Sequence, residues 1–288
     1  MPSMQEALQI LDGEFQEACW DITRPSAGNN DAFIATHGDR RVFLKFDVDG
    51  AALDRLAELH VAPALLGSGI VNNRSYIIQE YLEGSSPDRE WFRRHIPELA
   101  QFIRRYHADA ELTRLLMPLN PIPYADHIRE KVEELAAGMQ RAQTTPLHTS
   151  QAADAFRQFA RQAARLPPAA LVPTHADPNN TNFLLVRDRF YLIDWDDISL
   201  SDPLRDTGLL VWWYVPRAQW SAFFAAYGMA MDDALIQKIY WWSAYASLSV
   251  AQWFDAHTQD AARIGAFLLD YYAALNRQEN PHAPKTSA

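Results

Sequence analysis

Acidic and amide side chains crowd one stretch of this sequence, LVPTHADPNNTNFLLVRDRFYLIDWDDISLSDPLRDTG (171–208). It holds His175, Asp177 and Asn182, then Asp194 and Asp196, then Asp202 and Asp206. Carboxylates at this density repel one another unless a divalent cation, hydrogen-bond donors or water neutralise them. Hard oxygen donors suit Mg²⁺, which takes one or two carboxylates together with phosphate oxygens. Phosphoryl transfer uses such a set: one carboxylate orients the attacking hydroxyl and accepts its proton, while an Asn and a second carboxylate hold metal on the phosphates. The plainer alternative for His175, Asp177 and Asn182 is a turn whose side chains cap backbone groups. The acids downstream weigh against it. Asp202, before Pro203, and Asp206, in the first turn of a helix, read instead as caps and helix-dipole partners. His107, at a helix end, reads as a packing or capping residue.

Such residues need a scaffold. DAFIATHGDRRVFLKF (31–46) sets β-favouring residues on either side of a Gly-Asp turn and predicts a hairpin. AALDRLAEL (51–59) spaces Leu53, Leu56 and Leu59 three apart and predicts a helix stopped by Pro63. RSYIIQEYLEG (74–84) predicts a strand running into a Gly-ended connection. Three strands and a helix thus form a first lobe over 1–83, with a hinge near 79–84, and 84–288 forms a second, mainly helical lobe. In the latter, periodicity predicts one helix over 85–107, a proline-rich loop over 117–127 and a helix near 124–142. A break follows at 143–150. A β-rich insert lies between Leu171 and Asp206, with FLLV (183–186) and RFYLID (189–194) flanking an Arg-Asp turn. Helices resume over 204–275, and 277–288 reads as a frayed tail. The fold class is α+β.

His-x-Asp-x-x-x-x-Asn at 175–182, Ile-Asp-Trp-Asp at 193–196 and Asp-Pro-x-x-Asp at 202–206 occur in order at compatible spacing. Together they resemble the aminoglycoside phosphotransferase and choline kinase superfamily, closest in wording to its bacterial choline kinase-type members. The resemblance implies a two-lobed protein-kinase-like fold, with a small antiparallel-sheet lobe that binds nucleotide and a larger helical lobe for catalysis and substrate. It implies ATP and Mg²⁺ as cofactors, Asp177 as catalytic base, His175 as a brace of the loop, and Asn182 and Asp194 as metal ligands assisted by Asp196. Lys45 in RVFLKF takes the place of the lysine on the nucleotide phosphates. Glu80 to Leu82 resembles the hinge backbone that meets the adenine edge, and Gly28 in RPSAGNND the turn that covers the nucleotide. Two departures stand out. The family's helix glutamate that pairs with the strand lysine has no obvious counterpart, Asp49, Asp54 and Glu58 being its nearest substitutes. Pro178 and Thr181 replace a more usual leucine and glycine in the catalytic loop.

Totals narrow the partners. The 288 residues, roughly two domains' worth, carry 26 Lys and Arg against 36 Asp and Glu, a formal charge of −10. That balance argues against sequence-independent nucleic-acid binding and leaves room for a cationic small molecule bearing a hydroxyl. Hydrophobic residues at 48% and charged ones at 22% fit a globular chain. The weakly polar run at 239–254 falls short of the ~20 residues that span a bilayer, and the N-terminus lacks a basic leader, so no membrane partner is expected. A single cysteine, Cys19, fits a reducing, cytoplasmic setting. Oligomeric state is not legible. Aromatic residues crowd the last third at spacings that read mostly as core, yet one or two of Trp212, Trp213 and Trp242, with Asp255, could cage a quaternary ammonium. The motif resemblance implies choline or a related amino alcohol as acceptor, and after it an aminoglycoside or other antibiotic. A non-catalytic nucleotide-binding module is the rival from another class, motivated by the two departures. A protein kinase ranks last, for want of an activation segment.

Overall fold

The structure is a computed structural model that describes residues 2–17, 19–25 and 31–282. Its elements begin with α1 (Met4–Phe15), β1 (Asp21–Thr23), β2 (Ala32–His37), β3 (Arg40–Phe46), α2 (Gly50–Glu58), β4 (Leu65–Val71) and β5 (Arg74–Glu80). There follow α3 (Arg89–Arg94), α4 (Ile96–His107), α5 (Ala110–Leu115), α6 (Tyr124–Arg141), a 3-10 turn (Thr145–His148) and α7 (Ser150–Ala163). The last third has β6 (Val172–Thr174), β7 (Phe183–Val186), β8 (Arg189–Leu192), β9 (Ser199–Ser201), α8 (Leu204–Trp213), α9 (Trp220–Tyr227), α10 (Asp233–His257) and α11 (Ala261–Leu275). The fold is α+β and kinase-like.

The chain divides into two compact units. The first comprises Met1–Pro87, Ala110–Leu116 and Asn180–Asp196, so the hairpin that carries Asp194 belongs with the N-terminal sheet. That sheet is antiparallel throughout, in the order β1-β2-β3-β5-β4. Its two hairpin turns have the backbone such turns need. Gly38 is left-handed between β2 and β3, and Asn72 and Asn73 both take positive φ between β4 and β5, the demand of a tight two-residue turn. One face of the sheet is capped by α1, started by a Ser3–Glu6 capping box, whose Ala7, Ile10 and Leu11 join Phe33, Val42, Leu44 and Ile78 in a core. The sequence reading finds three strands where the structure has five. In β4, LLGSGIV, two glycines interrupt the apolar alternation, and β1 is only three residues long.

The hairpin of β7 and β8 is fastened to this sheet unit at both strands. Ser85 and Leu185 exchange backbone hydrogen bonds of 3.1 and 2.8 Å, and Leu192 N–H donates to Val61 O at 2.8 Å. Gly84 is required here, because a Cβ would collide with the Leu185 carbonyl.

The second unit comprises Asp88–Asp109, Met117–Asn179 and Asp197–Ala288. α10 is its centre, packed against α8, α11, α6 and α7, while α4 packs on α9. The helix predicted over 85–107 is two helices broken at His95: Pro97 has no N–H to give to the preceding turn, so α4 starts afresh there. The proline-rich loop gives way to α6 already at Tyr124. The segment read as a frayed tail is anchored as far as it is described. Asn280 is buried and donates to Trp212 O at 2.8 Å, His282 meets Asp270 at 2.7 Å, and Arg89 donates to His282 O at 2.8 Å.

Candidate active site

Lys45 lies on β3, paired across the sheet with Ile77 of β5, and its side chain is only 11% exposed. Its ammonium donates to Asp194 Oδ1 at 2.8 Å and forms an ion pair with Asp196. Burial acts to push the Lys45 ammonium down, but the hydrogen bonds and charges of Asp194 and Asp196 outweigh it and hold the group above its ordinary value. Both acids sit just past β8, where the chain turns. Ile193 N–H donates to Asn182 O at 2.9 Å, which places Asn182 opposite the residue before Asp194. Asp194 takes a left-handed φ of 67°, a conformation Asp tolerates better than most residues. Between the acids, Trp195 is buried and its indole donates to Leu192 O at 2.7 Å, so the turn is pinned from inside. Lys45, Asp194 and Asp196 are thus brought together, with Asn182 just ahead of the adjoining strand β7. Of the helix acids named as substitutes, Asp49 caps α2 through Ala51 N–H, Glu58 pairs with Arg55 and Asp54 is exposed.

In the second unit β6 delivers His175 and Asp177. His175 is buried, and its Nδ1 accepts from Asp177 N–H at 3.2 Å, which leaves the ring proton on Nε2. Ala176 between them has φ 78°, strained for a residue with a Cβ. What holds this backbone is Asp206. Its Oδ2 accepts from His175 N–H and its Oδ1 from Ala176 N–H, both at 2.8 Å. The same carboxylate takes the Tyr106 hydroxyl at 2.7 Å and His107 Nε2 at 3.0 Å, while His107 Nδ1 meets the Tyr227 hydroxyl at 2.7 Å. A carboxylate only accepts, so His107 carries its proton on Nε2 and receives the tyrosine proton at Nδ1. Burial would raise Asp206, yet the hydrogen bonds from His107 and the His175 backbone hold it below the usual carboxylate range. Asp206 is therefore more than the dipole partner its place in α8 implies: it clamps the loop that carries Asp177. Asp177 is steadied in turn by Asn179, whose amide donates to Asp177 Oδ2 at 2.8 Å. Sequence reasoning misses both supports, and the one signal for Asp206 is its place in the Asp-Pro-x-x-Asp segment.

The remaining expectations fare differently. Glu80 ends β5, with its N–H given to Ala64 O at 2.9 Å, and Leu82 lies just beyond the ladder. Gly28 lies outside the described residues. The aromatic cage is corrected. Trp212 and Trp242 are 1% exposed and Trp213 is 8% exposed, because α8 and α10 pack on each other in the middle of the second unit. Trp213 Nε1 bonds to Asp270 at 3.0 Å, and Asp255 is occupied by the backbone N–H groups of Gln143 and Thr144, both at 2.8 Å. These four are core and loop-fastening residues.

The donors at the end of β8 are two carboxylates, with an amide just ahead of the neighbouring strand. No group of three or more His, Cys, Asp or Glu gathers to hold a metal among the described residues. A tightly bound structural metal is not what this set fits. It fits a hard cation that arrives with phosphate oxygens to complete its shell, as Mg²⁺ does.

Spectinomycin phosphotransferase APH(9)-Ia, solved with ADP and spectinomycin, superposes with a TM-score of 0.64 at 13% identity, over 98% of this chain and 97% of that one. Choline kinase LicA from Streptococcus pneumoniae gives 0.65 at 14% identity, over 94% and 99%. Macrolide 2'-phosphotransferase MphH from Brachybacterium faecium gives 0.63 at 19% identity, over 95% and 99%. At such identities the likeness establishes the fold. The model of the phosphotransferase enzyme family, APH, matches residues 21–242, well over half of the sequence, and the chain belongs to that family.

Proposed function

We propose that this chain transfers the γ-phosphoryl group of ATP to a hydroxyl of a small molecule that carries a cationic nitrogen. The observation that carries the reading is Lys45, Asp194 and Asp196 drawn together on the sheet unit. Lys45 would neutralise phosphate oxygens, and Asn182 and Asp194 would hold Mg²⁺, with Asp196 beside them. Bound there, the metal would offset charge on the transferring group. Asp177, kept in one orientation by His175 and Asn179, would receive the hydroxyl proton and align the oxygen for attack. Positioning and charge neutralisation then supply most of the rate.

The motif wording favours choline and related amino alcohols as acceptors, and the formal charge of −10 suits any cationic one. Aminoglycosides follow, being cationic and hydroxylated as well. ATP consumption screened over choline, ethanolamine, thiamine, sugars and aminoglycosides tests this, with Asp177→Ala as the blank. One amine-bearing alcohol is expected to stimulate turnover at least ~10²-fold over that blank. ATP binding with no acceptor turned over would favour a nucleotide-binding module instead.

A further inference from the structure

We infer that Asp196 is the positioning partner of Lys45, doing what a helix carboxylate would otherwise do, and that Asp194 alone of the two acids serves as the metal ligand. The inference rests on the nucleotide-binding reading above and departs from it by taking Asp196 off the metal.

A lysine so enclosed needs a counter-charge at hand, because burying an unpaired charge is costly. α2 packs against β4 and β5 and is the obvious source of one. It offers none. Its buried positions are Ala52, Leu53 and Leu56; Asp49 is spent on its own helix N-terminus, Glu58 on Arg55, and Asp54 is exposed. The counter-charge comes instead from the exit of the β7 and β8 hairpin, where two acids flank the pinned indole of Trp195.

Those acids are not equivalent. The Asp194 side chain is 56% exposed and that of Asp196 33%. A cation delivered with phosphates from solvent meets the more open carboxylate at less desolvation cost. If both acids left Lys45 for the metal, the lysine would be stranded in a site that disfavours its charge. With Asp196 retained, Lys45 keeps an ion-pair partner and stays aimed. The backbone bonds from Leu185 and Leu192 to Ser85 and Val61 hold lysine and partner in one frame.

The test is Mn²⁺ titration of the full chain with ADP, read by electron paramagnetic resonance, in wild type, Asp194→Asn and Asp196→Asn. Thermal melts confirm folding, and Asp196→Ser serves as a second probe should the Asn variant fail to fold. Asp196→Asn is expected to bind Mn²⁺ and ADP within about threefold of wild type, whereas Asp194→Asn loses about tenfold or more. Asp196→Asn should also lower kcat by ~10-fold or more with the acceptor found by the screen, and that loss should shrink to under about threefold in a Lys45→Met background. Asp196→Glu should recover part of it. A loss of Mn²⁺ affinity in Asp196→Asn matching that of Asp194→Asn would overturn the inference, as would losses in Asp196→Asn and Lys45→Met that simply multiply. Wild type that binds no ADP at all would sink the nucleotide reading and this inference with it, a result distinct from either of those.

Discussion

Among the described residues two enclosed lysines pair with aspartate, one in each unit, and their surroundings differ. Lys238, on α10, meets Asp202 at 2.5 Å, with side-chain exposures of 8% and 0%. Asp202 is saturated: Oδ1 accepts from Leu204 N–H at 2.9 Å, and Oδ2 also takes the Tyr124 hydroxyl at 2.6 Å. The Lys238 ammonium further lies 5.2 Å from the centre of the Tyr124 ring. Nothing more can be added there. Lys45 instead shares two acids, one of them more than half open to solvent. Charge and residue type are the same in both places, and what separates the two pairs is spare coordination and exposure. A sealed pair contributes to stability only against the alternative of being broken, whereas an open pair can trade partners.

The sharpest way to break this contrast is at the open pair. Asp194→Ala should cost ~10²–10³-fold in turnover while the melting temperature moves by only a few degrees, because its side chain faces water. A variant that instead melts early with normal turnover would reverse the assignment. At the sealed pair the expectation inverts: Lys238→Met strands Asp202 without its cation and should cost about 3–5 kcal/mol of stability in urea unfolding, with the turnover of the remaining folded enzyme near normal. His127 sharpens the sealed side. It is buried, meets Ser201 Oγ at 2.9 Å, and burial first, then Lys131 and Arg205, pushes it down to about 4 from 6.5. The unfolded chain thus takes a proton there that the folded one refuses, so stability is full above pH 6.5 and drains as pH falls toward 4. The total is roughly 3 kcal/mol at most. Urea midpoints across that window should fall less steeply in His127→Gln than in wild type. The smallest effect belongs to Asn280→Ala, which removes the hydrogen bond to Trp212 O and the one Asn280 Oδ1 accepts from His282 N–H, and should cost ~1–2 kcal/mol, read as a shift in the urea midpoint.

The candidate site was legible where it is local in sequence. Lys45, Asp194 and Asp196, which short motifs single out, do come together, and a hairpin of ten residues brings Asn182 back beside Ile193. Most elements are legible too, since apolar periodicity and turn residues speak directly. What stays hidden depends on partners far away in the chain. Asp206 looks like a first-turn acid, and nothing in its neighbourhood announces that Tyr106 and His107, about a hundred residues earlier, share its carboxylate. The aromatic residues mislead for a related reason. α10 is covered by helices on several sides, so neighbours such as Trp241 and Trp242 are both buried, and no periodicity could say whether such rings line a pocket or fill a core. β4 escaped because its glycines carry no side chain for an alternation to show.

The anchored C-terminal segment has a consequence for how the second unit comes apart. α3 has six residues, too few to persist alone in water, and Arg89 in its first turn is tied to the carbonyl of His282, which is itself held by Asn280 and Asp270. The opening helix and the closing residues of that unit therefore share a latch. Amide protons of α3 should exchange with solvent at the tempo set by release of residues 280–282, and a chain shortened before Asn280 should leave α3 as the first stretch a protease finds.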